Sequence, residues 1–169
     1  MIGMNLRQTK GIQSTDRFYQ ENKERVFGYL VRLTGDFHLS SDLMQETFFR
    51  YFSRYKKVGE NLALLFTIAR NAALDSIRKR REETDLGEEI LSSGRNPELQ
   101  VIEKQEINRM NAAIQKLSPG DREMIALVSA RTFSYKEIGE MLNISEANVK
   151  VKIHRARLRL REILGNGGI

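Results

Sequence analysis

The sequence predicts an all-α chain: two small helical domains joined by a flexible acidic linker, the second a helix-turn-helix domain. Three observations carry that expectation. Apolar residues recur at helical spacing in stretch after stretch, with no alternating runs and only two prolines in 169 residues. Charge falls in blocks: residues 70–81 hold five bases and one acid, 82–106 hold two bases and eight acids, and 145–162 hold six bases and two acids. Eleven of the thirteen aromatics lie at or before Phe66, so the two halves differ in composition. Together these place one domain at 14–81, a linker at 82–96 and a second domain at 97–169.

Residues 1–13 read as a loose leader with no assigned role. A first helix starts near Asp16 and runs to about Leu33, with Phe18, Val26, Phe27, Leu30 and Leu33 on its apolar side. Thr34-Gly35-Asp36 breaks it. Ser40 or Ser41 then caps a second helix that runs to about Tyr55, because a hydroxyl can accept from the open N–H groups of a first turn. Lys56 to Asn61, with Gly59, reads as a loop. The third helix spans about Leu62 to Arg81, with Leu62, Leu65, Phe66, Ala69, Ala73 and Ile77 on one face. After the acidic stretch, Asn96-Pro97 has the form of an N-cap followed by proline at the first helical position. The helix it opens carries Leu99, Ile102, Met110, Ile114 and Leu117, and Ser118-Pro119 repeats the start signal.

Two capping boxes follow. Ser134-Tyr-Lys-Glu137 is complete, and Ser145-Glu-Ala-Asn148 is partial. Between them fits a helix of about two turns, Tyr135 to Leu142. Asn143 then sits where the turn needs a residue tolerant of left-handed geometry. The last helix runs from Glu146 to about Leu164, with Val149, Ile153, Ala156, Leu160 and Leu164 as its buried stripe.

Composition excludes several functions. Cysteine is absent and the two histidines, His38 and His154, are far apart, so neither a thiol nucleophile nor a metal site is expected. No nucleophile–base pair or phosphate-binding glycine loop is present. No catalytic residue, metal or cofactor is therefore assigned, and the chain does not read as an enzyme. No apolar run reaches 18 residues, and the N-terminus has no secretory h-region, which makes the cytoplasm the expected compartment. The net charge of +6 and pI of about 9.7 favour a polyanionic partner. Basic blocks fit two contact sites on nucleic acid, and they also fit two solvated helix faces.

The C-terminal pattern decides more. Short and polar groups at the first turns of a helix can approach base edges, and Arg and Lys further out can meet phosphates. Ala147, Asn148, Lys150, Val151, His154 and Arg155 share the outward face of the last helix, with Lys152, Arg157 and Arg159 flanking it. Gly139 lets the two helices cross closely. Caps, core, small crossing residue and basic face coincide as a DNA-reading helix-turn-helix requires, and a helical hairpin with a solvated face needs none of that coincidence.

The N-terminal half leaves more open. On the second helix, Leu43, Met44, Thr47, Phe48, Tyr51, Phe52 and Tyr55 form a broad buried face. Asp42, Gln45, Glu46, Phe49 and Ser53 form the other. An exposed Phe ringed by polar groups fits a helix-docking anchor, and equally a surface Phe half-covered by neighbours. On the third helix Arg70, Asn71, Asp75, Arg78 and Lys79 share or border the polar side. These suit a pocket for an unstacked base, and also a basic helix end that complements its own dipole.

Taken together, these residues resemble the extracytoplasmic-function (ECF, group IV) class of bacterial RNA polymerase sigma factor. Asp42-Leu-Met-Gln-Glu-Thr-Phe48 is similar to the family's DLVQETF motif, and Ile68-Ala-Arg-Asn-Ala-Ala-Leu-Asp75 to its IARNLALD segment. Leu117-Ser-Pro-Gly-Asp-Arg-Glu123, Ser134 to Leu142, Ile144 to Lys150 and His154-Arg-Ala-Arg157 resemble the C-terminal domain, in the family's order. Leu62 to Phe66 lacks the family's usual Trp, Asn143 replaces the common Gly and Gly139 the common Ala.

The resemblance implies roles. Asp42, Gln45, Glu46, Phe49 and Arg50 belong to a surface that binds core polymerase at the clamp helices of the largest subunit. Lys56, Lys57, Asn61, Arg70, Asn71, Asp75, Arg78 and Lys79 contact and open the −10 element. Ser145, Ala147, Asn148, Lys150, Val151, Lys152, His154, Arg155 and Arg157 read the −35 element. The flap of the second-largest subunit, promoter DNA and an anti-sigma factor are implied partners, without membrane insertion. The acidic linker would thread toward the RNA-exit path. The competing function is a stand-alone helix-turn-helix regulator, which needs a dimer surface the sequence does not show and leaves the first 81 residues unexplained.

Overall fold

A computed structural model describes the backbone of residues 6–55, 59–85 and 101–165, and the side chains of 14–55, 59–83 and 105–165. Seven helices follow in order among these residues: α1 (Leu6–Thr34), α2 (Phe37–Arg54), α3 (Leu62–Asp85), α4 (Val101–Gln115), α5 (Pro119–Ser129), α6 (Tyr135–Leu142) and α7 (Glu146–Gly165). The all-α class holds. Lys56, Lys57, the Asn96-Pro97 start signal and most of the acidic stretch lie outside the described residues.

Three boundaries differ from expectation. Helix α1 begins at Leu6, ten residues before Asp16, because nothing but Gly11 interrupts a run that contains no proline, and one glycine costs a helix only about 1 kcal/mol. Helix α2 starts a turn early. Its N-cap is Asp36, whose carboxylate accepts from Leu39 N at 2.9 Å, while Ser40 is buried inside the helix and donates to the Asp36 carbonyl at 2.6 Å. Gly35, at φ +74°, makes the sharp reversal that allows this. Helix α3 continues past Arg81 to Asp85, since Glu82 and Glu83 are good helix formers whatever their charge.

The N-terminal core is aromatic. Phe18 stacks on Tyr51 at 5.4 Å between ring centroids, Tyr19 meets Phe48 edge-on at 4.8 Å, and Tyr29 lies 5.2 Å from Phe66. Val26, Leu30, Leu33, Leu65 and Ala69 fill the space between α1, α2 and α3. The C-terminal core is smaller and aliphatic: Ile114, Leu117, Met124, Leu127, Ile138, Val149 and Ile153. Met110, expected on the apolar side of α4, is exposed, as is Ile107.

The two cores are continuous. Helix α5 packs along α1, α4 touches α1, and α6 touches α3. Phe133, between α5 and α6, meets Phe66 edge-on at 5.0 Å. Gln115 Nε2 donates to the Arg32 carbonyl at 2.8 Å.

Candidate nucleic-acid interface

Local chemistry sets the C-terminal site. Ser134 Oγ accepts from Glu137 N at 3.3 Å, and the Glu137 carboxylate accepts from Ser134 N at 2.7 Å, closing the capping box on α6. These bonds to the Ser134 N–H and hydroxyl hold the Glu137 carboxyl below its ordinary range. Asn143 adopts φ 55°, ψ 46°, the left-handed geometry that ends α6. A Cβ on Gly139 would sit 2.7 Å from the Ile144 carbonyl oxygen, so the turn requires glycine in this conformation. Ser145 Oγ accepts from Asn148 N at 3.2 Å and starts α7.

Val149, Ile153 and Ala156 anchor α7. Every residue assigned to reading the −35 element is exposed: Ser145, Ala147, Asn148, Lys150, Val151, Lys152, His154, Arg155 and Arg157. Lys150 Nζ lies 2.8 Å from Glu146, and that hydrogen-bonded pair raises the Lys150 pKa above its usual value. Arg159, which the helical wheel places beside this face, bonds instead to the buried Asp121 of α5, so it ties α7 down.

The polar face of α2 is laid out as expected. Asp42, Gln45 and Glu46 are exposed, Arg50 lies 2.5 Å from Glu46, and Phe49 is 72% exposed. The motif ends on Phe48, which is buried, so its neighbour Phe49 is the one that projects.

On α3 the assigned residues separate. Asn71, Asp75, Arg78 and Lys79 are exposed, with Arg78 Nη2 3.2 Å from Asp75. Asn61 is exposed and caps α3, its Oδ1 accepting from Leu64 N at 2.9 Å. Arg70 is not part of that open group: its guanidinium is partly buried and bonded to Glu123 of α5. Tyr51 was expected only as a core residue, but its hydroxyl donates to the Gly59 carbonyl at 2.5 Å and accepts from Asn61 N at 2.7 Å. It thereby holds the residues entering α3. No spacing rule signals this, since the partners are eight and ten positions away.

Arg80 is similarly engaged, lying 2.7 Å from Asp36. Partial burial alone would raise the Asp36 carboxyl, but the Arg80 hydrogen bond and the Leu39 N–H outweigh it and hold the group below its ordinary value.

Comparisons with known proteins match this arrangement. The Sigma-70 region 2 family model matches residues 18–83, and the Sigma-70, region 4 model matches residues 107–160. The chain is 33% identical over 159 residues to the ECF RNA polymerase sigma factor SigM of Bacillus subtilis, covering 90% of this chain and 96% of that one. It is 30% identical over 158 residues to the RNA polymerase sigma factor CarQ of Myxococcus xanthus, covering 87% of each. Among solved structures, the sigma factor RpoE in complex with the anti-sigma factor NepR from Bartonella quintana superposes with a TM-score of 0.73 at 26% identity, over 88% of this chain and 97% of that chain. No helix among the described residues is long and apolar enough to cross a membrane. With both sigma regions matched in order, and relatives of 30% identity or more covered over most of their length, the chain belongs to the ECF-type RNA polymerase sigma factors.

Proposed function

We propose that this sigma factor, a group IV member acting in the cytoplasm, divides its work between a core-binding and −10-melting domain at 14–81 and a −35-reading domain at 97–169, joined through 82–96. The observation that carries the reading is the face made by Ser145 and α7: nine exposed residues, short and polar at the first turns and basic beyond, on a helix pinned from behind. A helix of this form docks in the major groove, where Asn148 and Arg155 reach base edges and Lys152 and Arg157 meet phosphate. Helix α3 offers Asn71 to an extruded base and Arg78 and Lys79 to the strand that carries it. Helix α2 offers Phe49 as an aromatic anchor inside a polar rim, suited to the clamp helices of the polymerase largest subunit. The flap of the second-largest subunit is the further polymerase contact. The chain supplies recognition and strand separation, and the polymerase supplies the chemistry.

An anti-sigma factor is a further proposed partner, supported by the solved relative bound to one. The test is reconstitution. The chain is mixed with sigma-free core polymerase, complex formation is followed by size exclusion, and run-off transcription is assayed on a promoter library. A stable complex with selective initiation is expected. A chain that ignores core polymerase yet binds duplex DNA alone would return the stand-alone regulator. Phe49→Ala with Gln45→Ala should weaken core binding and leave helicity intact.

A further inference from the structure

We propose that Val151 selects a thymine in the −35 element by packing on its 5-methyl group, so that one A·T pair of the recognised sequence is fixed by an apolar contact. The inference rests on reading α7 as the −35 helix, and it names a base that the polar residues of that face do not specify. Val149, Ile153 and Ala156 are buried and define the inner side of α7. At about 100° per residue, Val151 stands roughly opposite that stripe, at the centre of the outward face, and it is 46% exposed. Ala147 lies within about 40° of the same line, one turn earlier. The charged residues stand to either side. Lys150 and Arg157 lie about 100–120° round in one direction and Lys152 about 100° in the other, all exposed. Between Ser145 and Arg157 the one acid is Glu146, on the Lys150 flank and 2.8 Å from Lys150 Nζ, so no carboxylate faces the central line.

An apolar ridge with cations along both edges fits a groove with anionic walls and an apolar feature on its floor. The major groove of DNA has both: phosphates line its two edges, and thymine alone among the four bases presents a methyl group there. An apolar protein partner would leave two rows of charge unmatched. Neither the core nor helix propensity accounts for valine at this position, since Val151 touches solvent and valine is among the weaker helix formers. Asn148 and Arg155, about 60° and 40° round from Val151, are placed to hydrogen-bond neighbouring base edges. Val151 adds the one discrimination that hydrogen bonds do not supply, the methyl group itself. Leu158, 41% exposed on the same side, lies about 10 Å further along the axis and is too far to share that base.

The test uses holoenzyme reconstituted from the full chain and core polymerase, on a promoter selected from the library. Each thymine of the −35 element, on either strand, is replaced in turn by deoxyuridine, which pairs identically and lacks only the 5-methyl group. Relative affinity is read by competition between the substituted and unsubstituted promoters. Wild type should lose about fourfold at one position and little elsewhere, as burial of one methyl group gives. Val151→Ala withdraws both γ-methyl groups and should bind the thymine and deoxyuridine promoters equally at that position. Val151→Ile keeps a branched apolar contact and should keep the preference, as should Leu158→Ala. Equal wild-type binding to every substituted promoter overturns the methyl contact. A preference that survives Val151→Ala, or one that Leu158→Ala also removes, overturns it too, as does a selected −35 element with no A·T pair. Each comparison is a ratio of two affinities of one protein, so a variant that folds less completely still reports it. A wild-type holoenzyme that ignores replacement of the whole element by unrelated sequence would instead strike the reading of α7 on which the contact rests.

Discussion

Helix α7 presents its reading face clear of the rest of the chain, whereas α3 has part of its face folded into a neighbour. On α7 and its cap Ser145 the nine assigned residues are exposed, and the long-range ties, Arg159 to Asp121 and Arg109 to the Leu164 carbonyl, are made from the flank and the far end. On α3 the exposed Asn71, Arg78 and Lys79 stand beside Arg70, whose charge is already met by Glu123. The supports differ as well. The N-terminal helices rest on packed aromatic rings, and α6 and α7 on caps, a left-handed Asn and a glycine at the crossing. A small domain with a thin aliphatic core depends more on such local devices, because each is a larger share of its stability.

The comparison can be broken most forcefully at the cores. Phe66→Ala should cost about 4 kcal/mol in urea unfolding, since it removes a fully buried ring that touches both Tyr29 and Phe133. A loss below about 1 kcal/mol would show that the aromatic cluster is not what holds α1 to α3. Gly139→Val should cost about 3 kcal/mol, because a side chain there meets the Ile144 backbone oxygen, which cannot move without opening the turn. Thermal melting with an intact N-terminal domain would localise that loss.

The reading faces come next. Arg155→Ala should weaken −35-dependent initiation by about 1–3 kcal/mol and relax selectivity at one position, as for a base contact. No change on any template would remove it from the interface. Asn71→Ala should impair initiation from duplex promoters far more than from a pre-melted bubble, and equal loss on both would count against strand capture.

The smallest effect is on pH. Asp36 and Glu137 both have carboxyl pKa values held below their ordinary range in the folded chain, the first by Arg80 and the Leu39 N–H against a burial penalty, the second by Ser134. Their stabilisation is complete above the unfolded values, near 4. It is lost as pH falls through the lower folded values. Urea midpoints should therefore be flat in these two groups between about pH 7 and 5 and drop below about 4, and Asp36→Asn with Glu137→Gln should flatten that drop.

Much of the C-terminal site was legible because its determinants are local. A capping box spans four residues, a turn residue declares its own backbone preference, and a helical face follows from spacing alone, so Ser134, Asn143 and the α7 face stand where they were expected. The start of α2 was misplaced for a related reason: Asp36 and Ser40 are both competent caps, and only the sharp reversal at Gly35 chooses between them.

By itself the sequence determined the helical class, the order of the elements, the exposed faces of α2 and α7 and the family resemblance, because each depends on residues within a few positions of one another. Only the tertiary structure decided which arginines are available. Arg70, Arg80 and Arg159 look alike along the chain, yet each pairs with an acid 38 to 53 positions away. The range of an ion pair is a few ångströms, and the packing of α3 on α2 and of α5 on α1 and α7 sets which charges come within it.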